Sequence, residues 1–94
     1  MQLAADAIAF DKNVLTVPAG SQVTLVFNNN EDPVIFHNVA VYTTRAAGEP
    51  VMVGEFIPGG ASITYQFTAP STPGTYYFRC DIHPLAMNGD FIVE

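Results

Sequence analysis

Cysteine, histidine and basic side chains are scarce in this sequence. The single cysteine, Cys80, excludes an internal disulfide framework, leaving that thiol as a buried group, a reactive group or a metal ligand. Three Lys and Arg against nine Asp and Glu give a formal net charge of -6. Such a surface repels nucleic acid and anionic membranes, and a basic protein is the better partner. No apolar run reaches the length of a membrane span, so any membrane attachment would need an anchor outside this chain. Met1-Gln2-Leu3-Ala4-Ala5-Asp6 has neither the basic start nor the long apolar stretch of a secretory signal. Read literally, that is a cytosolic protein; a mature domain behind an added initiator Met1 reads the same way. A helical stripe, an internal repeat, a linker and a low-complexity segment are all missing as well.

What is present is apolar content. At 94 residues and 49% hydrophobic, the chain builds one domain, residues 1–94, with a core that needs no cross-links. Seven glycines and seven prolines are scattered between short runs of Val, Ile, Thr, Tyr and Phe. That punctuation predicts an all-β protein, a two-sheet Greek-key β-sandwich of seven to eight strands. The opening run 2–10 is Ala-rich and reads as an edge strand. Strands follow over 13–17, over 21–27 with Val23, Leu25 and Phe27 inward, and over 36–42 with His37, Val39 and Val41 on one face. A loop is expected over 43–50 and a short run over 51–57. Two further strands, 62–68 and 75–80, direct Ile63, Tyr65 and Phe67, then Tyr76, Phe78 and Cys80, to one side.

The rare soft donors fall together. Cys80-x2-His83-x3-Met87 places the only cysteine, one of two histidines and one of three methionines on the loop between the last two strands. His37 is the only other histidine, and completes a set of thiolate, two imidazoles and a thioether, which favours copper. Taken singly, each residue has an ordinary reading: a core or surface histidine, a turn residue before Pro84, a methionine filling a gap, an inert buried thiol. Together they use all of the chain's Cys and His. The set requires strand 36–42 to lie beside strand 75–80. A structural zinc site from His37, Cys80, His83 and Asp81 or Asp90 is the competing metal reading, and the thioether argues against it. Cys80 and His83 have no third group to orient them as nucleophile and base.

With every coordination position filled by protein, no site is open for substrate, so the chain reads as an electron carrier and not an enzyme. The alternative is a copper carrier or storage module that delivers copper to an acceptor, for which Met1 and Met52 are the only spare soft donors. Pro84, Leu85 and Ala86, joined by Pro33, Val34, Ile57 and Pro58, form a candidate docking patch for a redox partner that exchanges electrons through His83.

The order His37-Asn38 followed late in the chain by Cys-x2-His-x3-Met resembles the cupredoxins, the type 1 blue copper proteins, over essentially the whole length. The resemblance implies His37, Cys80 and His83 as strong equatorial ligands of one Cu(I)/Cu(II) ion and Met87 as the weak axial one. It also implies that Asn38 ties the two ligand loops together. The His-x3-Met spacing is intermediate between the longer loop of plastocyanins and pseudoazurins and the shorter one of amicyanin. Arg79 stands where plastocyanin carries a tyrosine before the cysteine, which leaves a plastocyanin-like acidic-patch route without its tyrosine. A periplasmic or extracytoplasmic monomer serving redox partner proteins such as a c-type cytochrome is the corresponding expectation.

Overall fold

The computed structural model describes residues 1–46 and 48–94. Strand β4 (Gln22–Asn29) is the longest, and Val23, Leu25 and Phe27 are buried at alternate positions as its sequence pattern requires. It pairs antiparallel with β7 (Ser62–Thr68) over seven residue pairs, from Gln22 opposite Thr68 to Asn28 opposite Ser62. On its other side lies β1 (Gln2–Asp6), parallel, followed by β2 (Ala9–Phe10). The first sheet is therefore ordered β2-β1-β4-β7. Ile8 and Ala7 take φ values of 55° and 52°, a reversal of the kind a two-residue hairpin needs. That reversal corrects the expected edge strand: the opening run folds back on itself, β1 sits inside the sheet and only β2 is at the edge.

After β2 the chain crosses to a second sheet, ordered β3-β9-β8-β5-β6, built from β3 (Val14–Val17), β5 (Ala40–Tyr42), β6 (Pro50–Val53), β8 (Gly74–Arg79) and β9 (Asn88–Val93). Among the described residues there is no helix, and the nine strands form the expected all-β two-sheet sandwich; the two-residue β2 raises the count above eight. Aromatic rings close the gap between the sheets. Phe10 lies 5.5 Å from Phe78 and Phe67 lies 5.9 Å from Phe91, centroid to centroid, within the range at which ring pairs attract.

β5 and β8 are neighbours, with Ala40 opposite Arg79 and Tyr42 opposite Tyr77. The segment entering β5 and the segment leaving β8 therefore emerge at the same end of the sandwich, which is the adjacency His37 and Cys80 require. β5 is shorter than the expected 36–42 strand because Asp81 N–H, which falls opposite Asn38, bonds to the Asn38 side chain and not to its backbone, so the ladder stops there. His37 instead forms an isolated bridge with Ile57. Val39 and Val41 enter the main core, while Ala40 and Tyr42 pack with Tyr77 on the outer face. Ala47, within the loop expected over 43–50, lies outside the described residues.

Candidate metal centre

The turn between β8 and β9 is closed by its own backbone. His83 N–H donates to Cys80 O at 3.2 Å, Met87 N–H to His83 O at 2.9 Å, and Cys80 N–H to Met87 O at 3.0 Å. Cys80 and Met87 are fully buried and belong to the main core, while His83 is partly exposed. His37, also fully buried, arrives on the bridge to Ile57, fixed by reciprocal bonds of 3.1 and 2.9 Å.

These elements bring three donor atoms together. Cys80 Sγ lies 3.7 Å from His37 Nδ1 and 3.8 Å from His83 Nδ1, and the two imidazole rings stand 4.9 Å apart at 73°. Among the described residues, ligand atoms of His37, Cys80 and His83 fall within 4.8 Å of one another. A first-row ion with bonds of about 2.3 Å to thiolate and about 2.0 Å to imidazole, set roughly 120° apart, holds such donors about 3.7 Å from each other. The spacing suits one ion, and the soft thiolate with two imidazoles, backed by the buried Met87 thioether, suits a type 1 copper site.

The two ligand segments are tied together behind the donors. Asp81 N–H donates to Asn38 Oδ1 at 2.9 Å, and Asn38 Nδ2 donates to Asp81 Oδ2 at 3.1 Å and to Gly54 O at 3.0 Å. Tyr42 OH donates to Asp81 Oδ1 at 2.6 Å and Arg79 Nε to the same oxygen at 3.0 Å, with the guanidinium 4.7 Å above the Tyr42 ring. Burial alone pushes the Asp81 carboxyl up. The hydrogen bonds from Tyr42, Asn38 and Arg79 outweigh it and hold the group below the usual carboxylate range. Asp81 is thus committed to these donors, and Asp90 is paired with Arg45 at 2.7 Å on the surface. Neither joins the His37, Cys80 and His83 cluster, so the four-ligand zinc arrangement lacks its carboxylate.

One residue of the site has no counterpart in the sequence reading. Glu31, between the strands expected over 21–27 and 36–42, places Oε2 2.8 Å from His37 Nε2 and 2.7 Å from Ile8 N. The hydrogen bond to His37, aided by Ile8 N–H, overcomes desolvation and holds this carboxyl below its usual range. A Glu ahead of a histidine is too common a pattern to have marked it.

Several large apolar side chains close in sequence to His37, Ile57 and His83 are exposed. Leu85 is 95% exposed and Val34 84%, with Phe36, Phe56 and Ile82 also exposed. Ile57, expected in the docking patch, is instead buried in the main core, while its backbone bridges to His37. Pro84 is partly buried, and its carbonyl accepts from Asn88 Nδ2 at 3.0 Å.

The fold recurs in solved structures. Dithionite-reduced auracyanin from the photosynthetic bacterium Roseiflexus castenholzii is 28% identical, with a TM-score of 0.84 over 99% of this chain and 94% of its own. Auracyanin A, a "blue" copper protein from Chloroflexus aurantiacus, is 26% identical at a TM-score of 0.86 over 100% and 97%. An amicyanin variant in its reduced Cu(I) form is 26% identical at 0.69, over 100% and 81%. No curated protein sequence matches the chain. The family model for the cupredoxin-like domain matches residues 1–93, and the chain belongs to that family.

Proposed function

We propose that this protein carries single electrons between redox partners through a type 1 copper site held by His37, Cys80 and His83, with Met87 as the weak axial ligand. The observation that carries the reading is the convergence of Cys80 Sγ and two imidazole Nδ1 atoms at one buried end of the sandwich, where His83 alone of the four residues reaches solvent. Bound copper supplies one-electron exchange between Cu(I) and Cu(II). The chain's own residues keep that exchange easy. The bonds between Asn38 and Asp81, and those closing the 80–87 turn, hold the ligand segments in one arrangement, so little has to move when the charge changes. Burial of His37, Cys80 and Met87 keeps water away from the donors. His83 offers its imidazole edge to a partner seated on Leu85, Val34 and Phe56.

Every donor is supplied by the protein, which argues for a carrier and against catalysis. The same burial disfavours the alternative of a copper courier, since a delivered ion must be reached by the acceptor's ligands. A periplasmic or extracytoplasmic setting with a c-type cytochrome or similar partner fits this chemistry, with the 94 residues acting as one domain. The test is addition of Cu(II) to the purified apoprotein, followed by visible absorption and electron paramagnetic resonance. An intense thiolate-to-copper charge-transfer band with narrow copper hyperfine splitting is expected; a colourless protein that prefers zinc overturns the assignment.

A further inference from the structure

A carboxylate with little access to water needs compensating donors, and the Glu31 side chain keeps only 6% of its exposure. Its Oε2 receives two, the His37 Nε2–H at 2.8 Å and the Ile8 N–H at 2.7 Å. Both groups are unusual. Ile8 is a β-branched residue at φ 55°, a backbone state that such side chains rarely adopt. His37 turns its other nitrogen, Nδ1, toward Cys80 Sγ, so a metal bound at Nδ1 fixes the tautomer with hydrogen on Nε2, aimed at Glu31. The Glu31 backbone is anchored too. Its N–H donates to Asn29 Oδ1 at 3.2 Å, and Asn29 Nδ2 donates to the carbonyls of Ile35 and Ile57 at 3.0 Å each.

We infer that Glu31, steered by the backbone of the β1–β2 turn, is a positioning residue of the copper centre that orients His37 and biases the site toward Cu(II). This rests on the copper reading above. A full negative charge hydrogen-bonded to a ligand imidazole raises that imidazole's basicity and favours the more highly charged ion, and outer carboxylate partners of this kind change metal affinity by about 10–100-fold. The N-terminal hairpin thereby becomes part of the redox site through the Ile8 N–H bond to Glu31.

The experiment compares wild type with E31Q, E31A and D32N, the last removing an exposed neighbouring charge. Reduction potentials and Co(II) affinities of the folded proteins are measured. E31Q keeps a hydrogen-bonding group but no charge, and should retain the blue band while losing Cu(II) preference by about tenfold, a rise of about 59 mV for a one-electron couple. E31A should lose Co(II) affinity by about tenfold or more, and D32N should change either quantity far less. A potential in E31Q equal to that of wild type, or a shift no larger than that of D32N, overturns the inference. Absence of a blue centre in wild type overturns the copper reading along with it. Should E31Q fail to fold, nitrogen-15 NMR of the wild-type Cu(I) protein decides: a slowly exchanging His37 Nε2–H near the Glu31 side chain supports the assignment, and a rapidly exchanging one refutes it.

Discussion

Asp81 shows how one side chain serves structure beside a metal ligand without being one. Its two oxygens accept from Tyr42, Arg79 and Asn38, and these bonds hold its carboxyl below the ordinary value of 3.8 against the opposing effect of burial. A carboxylate with a depressed folded-state pKa stabilises the fold fully above its unfolded value, and that contribution drains away as pH falls through the folded one. Asp81→Asn should therefore cost the apoprotein about 2 kcal/mol near neutral pH, the scale of lost hydrogen bonds to a charged group, and flatten the decline of stability below about pH 4. Urea unfolding of both proteins between neutral and acid pH checks this, and parallel curves would remove Asp81 from the acid response. The donors themselves were legible in the sequence because His37, Cys80, His83 and Met87 are rare residue types at telling intervals. Glu31 was not, since its role depends on where His37 Nε2 points, and Asp81 could be weighed as a ligand only until its three donors were visible.

Strands with one wet face were legible for a comparable reason. β4 and β7 alternate buried and exposed residues, and the pairing of Leu25 with Tyr65 and Phe27 with Ile63 follows the inward faces read from sequence. The β1–β2 reversal was hidden because Ala7-Ile8 contains none of the Gly, Asn or Asp that normally announce such a turn. The segment leading through β5 was harder for a different reason: every residue from His37 to Tyr42 is buried, so no alternation marks where its pairing ends. In β9, Gly89 leaves no room for a side chain. A methyl group on Gly89 would meet the Phe78 ring at 2.6 Å and Asn13 O at 2.5 Å, and backbone oxygen cannot swing aside. Gly89→Ala should lower stability by about 1–3 kcal/mol through overpacking, read as an earlier denaturant midpoint with an unchanged slope. Since Phe78 lies two residues before Cys80, displacement of its ring should also broaden the copper spectrum of the loaded variant.

At the scale of the molecule, the proposed recognition of a redox partner has two contributors, charge and apolar surface. Each of the three basic residues lies against an acid, Lys12 by Asp11, Arg45 by Asp90 and Arg79 by Asp81. The net charge of -6 is therefore carried by acids without a basic neighbour, among them exposed Asp32 and Glu55 beside Val34 and Phe56. On the proposed docking, such a field would accelerate encounter with a basic partner at long range, whereas short-range seating would depend on the exposed apolar side chains next to His83 in sequence. The two contributions separate experimentally, because the screening length is about 30 Å at 0.01 M salt and about 3 Å at 1 M. Stopped-flow exchange with a basic c-type cytochrome should slow by about tenfold or more across that range in wild type. Leu85→Glu, which charges a side chain 95% exposed, should slow exchange at every salt concentration and leave the copper absorption band in place. A Leu85→Glu rate that meets the wild-type rate at high salt would mean that the substitution acts through charge repulsion alone and that Leu85 seats no partner.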